Sequence, residues 1–239
     1  MTRGAPPELG QRVVLVTGAN RGIGRELARQ LALRGDVVVL TARDLAKAER
    51  AAASLRGQER VLARRLDVTD PASIQQVAAD LTSRYGRLDV LVNNAAIHYD
   101  TWQQASTADL QVVREALEVN LLGAWQTSLT LLPLLRASGH GRIVNVSSEA
   151  GSLAGMDGGT PAYNVSKAAL NAFTRVLAGE LRRDRILVNA VCPGWVATDM
   201  GGPGGRPVDE GAASVLWAVD LPDDGPTGGF YRDGRPVPW

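Results

Sequence analysis

The sequence predicts one α/β domain built on a doubly wound parallel sheet of about seven strands, with helices on both faces. Three observations carry that expectation. Short β-branched runs alternate with segments of helical periodicity along the chain. The runs are apolar at successive positions, as strands covered on both faces require. No linker, low-complexity stretch or composition break divides the 239 residues. A single domain over 12–239 follows, preceded by a flexible tail at 1–11.

The elements follow in order. The first strand is Val13–Val16; it leads through a glycine turn into a helix marked by Leu27, Leu31 and Ala32. Val37–Leu40 is the second strand, and Asp44 is placed to cap the helix after it. Val61–Leu66 is a weaker third strand, interrupted by Arg64 and Arg65, before a helix carrying Ile74, Val77, Ala78 and Leu81. Val90–Val92 precedes a long helix over about 107–136, which Pro133 is expected to kink or end. After Ile143–Val146 a second long helix covers about 161–183, with Thr160 as N-cap and Pro161 at the first helical position. Ile186–Val191 and Gly228–Tyr231 complete the sheet. Right-handed crossovers between parallel strands make the sheet doubly wound.

Composition narrows the function classes. A net charge of +1 and a pI near 7.9 give no basic field for nucleic acid. One cysteine, Cys192, excludes an internal disulfide framework and suits a reducing compartment; it is expected to pack at a strand end. No run approaches the roughly 18 apolar residues of a membrane span, and no leader pattern opens the chain. A cytoplasmic protein with no membrane partner is expected. No His/Cys/Asp cluster suggests a metal. Of 26 Lys and Arg, only Lys47 and Lys167 are lysines, so a retained ammonium marks a position worth inspecting. Lys47 reads as solvated helix surface.

Strand one runs into Thr17-Gly18-Ala19-Asn20-Arg21-Gly22-Ile23-Gly24 and then a helix. Glycines at 18, 22 and 24 permit a tight turn and close approach of backbone to a pyrophosphate, and a helix N-terminus offers unpaired N–H groups to the anion. The pattern predicts dinucleotide binding on a Rossmann-type sheet. At the tip of strand two the chain offers Ala42 and Arg43 before Asp44. Arg43, with Arg21, favours a 2′-phosphate and therefore NADP over NAD.

Tyr163 and Lys167 fall one turn apart on a helix face. An ammonium beside a phenol stabilises the phenolate and is expected to lower the tyrosine pKa. Ser147 and Ser148 follow strand five at the strand ends where ligands gather in such sheets. Either serine there could hydrogen-bond a substrate carbonyl.

Taken together these residues resemble the short-chain dehydrogenase/reductase family over essentially the whole chain. The resemblance rests on Thr17 to Gly24, Asp67-Val68, Asn93-Asn94-Ala95-Ala96, Asn120, Ser148, Tyr163-x-x-x-Lys167 and Pro193-Gly194. The segment Pro193 to Met200 and the terminal Gly228-Gly229-Phe230 look most like the NADPH-dependent carbonyl reductase branch. The resemblance implies a catalytic group of Asn120, Ser148, Tyr163 and Lys167. Tyr163 would exchange a proton with the carbonyl oxygen, Lys167 would assist it and hold the nicotinamide ribose, Ser148 would orient the carbonyl, and Asn120 would help hold a water leading from Lys167. It also implies cofactor contacts from Asn20, Ile23, Asp67, Val68, Asn94, Ala95, Pro193, Gly194, Val196 and Thr198. The family's terminal turn glycine is here Ala96, and the insertion before the tyrosine found in monomeric carbonyl reductases is absent. Family tetramers bury the two long helices, so a homo-oligomer is an expectation.

On the substrate side, Gly201-Gly202-Pro203-Gly204-Gly205 stands where the family often places a helical lid, and its composition suggests mobility and an open pocket. Met156, Trp195 and Met200 are the leading pocket residues, with His98, Tyr99 and Trp102 behind them; His98 reads as a turn residue rather than a base. An apolar, aromatic pocket suggests a hydrophobic ketone or aldehyde. NADPH-dependent carbonyl reduction is the leading reading. Reduction of a 3-oxoacyl thioester and a non-catalytic NADP-binding sensor are the alternatives.

Overall fold

In the computed structural model, which describes residues 11–55, 58–97 and 99–239, strand β1 (Val13–Val16) lies inside an eight-stranded sheet. The other strands are β2 (Val37–Ala42), β3 (Val61–Arg65), β4 (Val90–Asn93), β5 (Arg142–Val146), β6 (Leu187–Val191), β7 (Phe230–Arg232) and β8 (Arg235–Pro236). Their order is β3-β2-β1-β4-β5-β6-β7-β8. All pairs are parallel except β7–β8. The chain winds outward from β1 to β3, then returns to the other side of β1 for β4. A ligand crevice therefore opens at the carboxyl ends of β1 and β4.

The eighth strand goes beyond the seven read from the sequence. It is made by the two-residue turn Asp233-Gly234, both at positive φ (50° and 74°), which matches the twist of a hairpin. The Asp-Gly pair was the available signal.

Among the described residues seven α-helices cover the sheet: α1 (Gly22–Leu33), α2 (Leu45–Ala53), α3 (Pro71–Tyr85), α4 (Leu110–Leu117), α5 (Ala124–Ser138), α6 (Pro161–Glu180) and α7 (Val208–Val219). Alternate residues of β1 feed two cores. Val14 and Val16 pack with Leu27 and Leu31 of α1 and Val215 of α7. Val13 and Leu15 pack with Ile74 of α3, Leu131 of α5 and Phe173 of α6. Apolar residues at consecutive strand positions are thus buried on opposite faces, each against helices.

Four helix expectations need correction. The helix expected over 107–136 begins at Leu110 and is divided by a π-helical segment, Glu118–Gly123, between α4 and α5. Pro133 does not end it: α5 runs through Pro133 to Ser138. Pro133 and Leu129, whose carbonyl loses its helical donor, both lie on the exposed side. The helix expected over 161–183 keeps its α pattern to Glu180 and tightens to a 3₁₀ turn over Leu181–Asp184. Thr160 precedes Pro161 as read, but its side chain makes no cap bond and its φ is +42°.

Of the expected tail, residues 1–10 lie outside the described residues; Gln11 donates from Nε2 to the Gly35 carbonyl at 2.6 Å. Asp44 caps α2 by accepting the Lys47 N–H at 3.3 Å, and Lys47 is exposed. Cys192 is buried beyond β6. No helix of the described residues is long and apolar enough to cross a membrane.

At the opposite, amino edge of the sheet, Asp89 joins β1, the approach to β4 and the end of α5. It is 7% exposed, and its carboxylate accepts the Val13 N–H at 2.6 Å, the Ser138 hydroxyl at 2.5 Å and the Arg87 Nε–H at 3.2 Å. Asp89→Ala strands the strand N–H in the interior and is expected to cost about 1–3 kcal/mol. Urea unfolding checks this: the midpoint should fall with the slope unchanged.

Candidate active site

The carboxyl edge of the sheet is assembled around two turns that touch. Gly18, at φ +62°, lies so close to Ala95 that an added Cβ would stand 2.9 Å from the Ala95 Cα. The Thr17 hydroxyl accepts the N–H groups of Asn94 and Ala95 at 2.9 and 3.0 Å. Asn94 Nδ2 donates back to the carbonyls of Thr17 and Gly18 at 2.8 and 3.2 Å. A cleft runs from this junction, and residues from both turns line it.

Its chemistry suits a phosphate-bearing dinucleotide. Helices α2, α3 and α4 are each capped by an aspartate side chain, Asp44, Asp70 and Asp109. Helix α1 has no side-chain cap and no acidic residue in its first turn. Its free N–H groups and positive dipole end therefore remain available to an anion. A Cβ on Gly24 would stand 2.5 Å from Asn94 Nδ2, so the glycines keep the turn narrow.

Most expected cofactor residues line this cleft: Gly18, Asn20, Arg21, Gly22, Ile23, Gly24, Arg43, Asp67, Val68, Asn94, Ala95, Tyr163, Lys167, Pro193 and Thr198. Gly194 and Val196 do not. Gly194 packs towards Arg206 and Arg232, and Val196 is 4% exposed beneath the loop that follows. Arg21 is paired with Asp199 at 2.8 Å, both side chains well exposed, so this guanidinium already has a partner across the cleft mouth.

Ser148, Tyr163 and Lys167 come together. Ser148 lies close enough to the Tyr163 phenol for its side chain to act on the phenol's ionisation, and its hydroxyl accepts the Ala150 N–H at 3.2 Å. Lys167 Nζ lies 5.6 Å from the centre of the Tyr163 ring and donates to the Val146 carbonyl at 2.8 Å. Ser147 turns away, its hydroxyl donating to Asn171 Oδ1 at 2.7 Å. Opposed neighbours in an extended strand separate the two serines.

Burial governs both ionisable groups. It raises the Tyr163 phenol well above its ordinary value, outweighing the lowering by Ser148, while Cys192 and Tyr99 add to the rise. Burial also lowers the Lys167 ammonium to about 8. The sequence reasoning expected the ammonium to lower the tyrosine. Instead, desolvation disfavours both charged forms, and Lys167 directs its hydrogen bond at a backbone carbonyl.

Asn120 lies in the π-helical segment and is 1% exposed. Its Oδ1 accepts the Ile97 N–H at 2.8 Å, and its Nδ2 donates to the Ile97 carbonyl at 3.1 Å and to Ser166 Oγ at 2.9 Å. Both amide donors are spent, so the side chain ties loop to helix.

The substrate side departs from expectation. The glycine loop is folded back on Trp195 to Thr198: Ala197 and Arg206 exchange a backbone bond at 2.9 Å, Arg206 N–H reaches the Trp195 carbonyl at 2.8 Å, and Trp195 Nε1 donates to the Gly201 carbonyl at 2.7 Å. A Cβ on Gly204 would meet the indole at 2.8 Å. These glycines therefore permit close packing where composition suggested mobility. Met200 lines the cleft; Met156 and Trp195 do not. Tyr99 meets the Tyr163 ring edge-on at 5.2 Å, whereas Trp102 is 67% exposed. His98 lies outside the described residues. Sequence reasoning missed Asp100, fully buried, which accepts the Ala162 and Tyr163 N–H groups; an aspartate in a loop carries no local mark of burial.

A family model described as short chain dehydrogenase matches residues 12–206. The chain belongs to the short-chain dehydrogenase family. Salutaridine reductase of Papaver bracteatum is 34% identical, with 92% of this chain and 94% of that protein aligned. Carbonyl reductase [NADPH] 1 of Sus scrofa is 37% identical over 282 aligned positions, covering 95% and 94%. Since 282 positions exceed the 239 residues of this short-chain dehydrogenase, the pig protein carries segments it lacks. Among solved structures, NADPH-bound carbonyl reductase from chicken fatty liver superposes with a TM-score of 0.87 at 32% identity, covering 96% and 99%.

Proposed function

We propose that this chain is an NADPH-dependent reductase that converts a hydrophobic ketone or aldehyde to the alcohol, with Tyr163 as the proton donor. The observation that carries the reading is the pair of buried residues Tyr163 and Lys167 lining a cleft suited to a dinucleotide, with the half-buried Ser148 close to the phenol. Similarity to carbonyl reductase [NADPH] 1 supports the cofactor and the reaction class. Arg43 and Arg21 line the cleft as candidates for the 2′-phosphate; Arg21 would exchange Asp199 for it.

Bound NADPH supplies the hydride. The chain's own residues handle the oxygen. Ser148 donates a hydrogen bond to the carbonyl oxygen and holds it beside the phenol. Tyr163, protonated at neutral pH because burial disfavours its phenolate, gives its proton to that oxygen as negative charge develops there. Lys167 stabilises the resulting phenolate with its ammonium. Asn120 acts through Ile97 and Ser166, keeping the loop and the helix in register. Met200 in the cleft lining and the Tyr99 ring against Tyr163 are apolar groups near the phenol, which supports a hydrophobic substrate.

In an assay of NADPH oxidation with aromatic ketones, aldehydes and acetoacetyl thioesters, turnover is expected chiefly on the first two. Tyr163→Phe is expected to lower kcat at least about a hundredfold. Wild-type rates in that variant would defeat the mechanism, and tight NADPH binding with no turnover on any compound would point to the sensor.

Lys167 also sets a pH limit. Its ammonium is present below about 8 and lost as pH rises through that value, while Tyr163 stays protonated. The kcat for reduction is therefore expected to be flat at neutral pH and to decline above about 8. A profile still level a full unit or more above that point would contradict it.

A homo-oligomer is part of the same proposal. Leu122, Trp125 and Leu129, together with Val165 and Val176 of α6, are exposed at helical spacing, and Trp125 stacks on Phe173 across the two helices. A face this apolar fits a second copy. Leu129→Glu/Val176→Glu is expected to shift the sedimenting species to monomer; an unchanged species would exclude this face.

A further inference from the structure

We infer that Asp100 is a positioning residue for the reaction proposed above: a buried carboxylate from the loop after β4 caps α6 and fixes the turn that carries Tyr163. The inference rests on that reading of Tyr163.

The first turn of a helix has N–H groups with no partner inside the helix, and it is the turn that frays. In α6 that turn holds Pro161, Ala162 and Tyr163. Pro161 has no N–H. The local cap fails, because Thr160 sits at φ +42° and spends its hydroxyl on Asn164 Oδ1 at 2.7 Å. Asp100 takes its place from more than sixty residues away. Its Oδ2 accepts the Ala162 N–H at 2.9 Å and its Oδ1 accepts the Tyr163 N–H at 3.0 Å. The side chain is fully buried, so its charge is met by these bonds, by the helix dipole and by Gln103 Nε2 at 3.2 Å.

The other backbone group of Tyr163 is tied to the same loop. Its carbonyl accepts from Ser166 Oγ at 2.8 Å; Ser166 Oγ accepts from Asn120 Nδ2, and Asn120 holds Ile97 through both backbone groups. The Tyr99 ring adds an edge contact to the phenol ring. Lys167, one turn further along, is held separately by the Val146 carbonyl. Tyr163 is thus set relative to the loop that lines the cofactor cleft, and Asp100 decides whether the first turn keeps Tyr163 in line with Lys167 and Ser148. Misplacement of a reacting group by about 1 Å can cost on the order of a hundredfold in rate.

The test compares wild type with Asp100→Ala, Asp100→Asn and Gln103→Ala, all assayed well below their Tm. Asp100→Ala is expected to lower kcat about tenfold to a hundredfold. The KM for the carbonyl and the Kd for NADPH should stay within about twofold, because neither is bound by Asp100. Asp100→Asn keeps one acceptor oxygen and should fall between wild type and Ala, which also serves if Asp100→Ala does not fold. Gln103→Ala leaves both cap bonds and should turn over as wild type. Amide exchange at Ala162 and Tyr163 should quicken in Asp100→Ala but not in Gln103→Ala. A lowered Tm with kcat unchanged, or unchanged exchange at both amides, would falsify the inference and leave the reductase reading intact. Failure of the wild type to turn over any carbonyl would instead remove the reductase reading, and with it a positioning role for Asp100.

Discussion

The contact between the glycine turn after β1 and the loop after β4 is the constraint on which the rest of the site depends. Thr17 and Gly18 share four hydrogen bonds with Asn94 and Ala95 across that junction. The glycine turn can come this close only because Gly18 has no Cβ. Beyond the junction the loop reaches Asn120 through Ile97, and α6 through Tyr99 and Asp100. The cleft and Tyr163 are therefore referenced to one stretch of chain, and in the proposed reaction that would let a hydride and a proton reach the two ends of one carbonyl.

Desolvation sets the protonation states within that frame. The phenol and the ammonium are both buried, and each is pushed towards its neutral form. A tyrosine that holds its proton at neutral pH is ready to donate. A lysine poised near 8 can carry its charge when a phenolate forms and give it up at modest alkalinity. Arginine would keep its charge throughout and present a planar fork in place of a compact point charge. In a chain with 26 Lys and Arg and only one lysine besides Lys47, retention of the ammonium at 167 has a physical reason.

At the outer edge, the loop after Thr198 shows how glycine can serve packing instead of motion. Gly204 lies against the Trp195 indole, and Gly205 lies where a Cβ would meet the Val196 carbonyl carbon at 2.5 Å. The resulting folded loop, closed by a parallel bridge between Val196 and Arg206, fixes the indole through the Gly201 carbonyl. It stands as a packed loop beside Met200, which lines the cleft.

The sequence by itself determined the alternation of strands and helices, the apolar strand runs, the uncapped glycine turn, and the spacing that puts Tyr163 and Lys167 on one helix face. These are local patterns with fixed periods, and the observed strands reproduce them to within a few residues at each end. That the hydroxyls of Ser147 and Ser148 part was also legible, since neighbours in an extended strand point apart. Only the tertiary structure decided which way the tyrosine shifts, because burial in a closed site outweighs a lysine that is bonded elsewhere. It also decided that the glycine loop is folded, that a π-helical segment presents Asn120 to Ile97, and that the cap of α6 comes from Asp100. The bonds to Ala162 and Tyr163 join residues 62 and 63 positions apart. No local pattern registers such a pairing; it exists only once β4 and α6 have been brought together by the sheet.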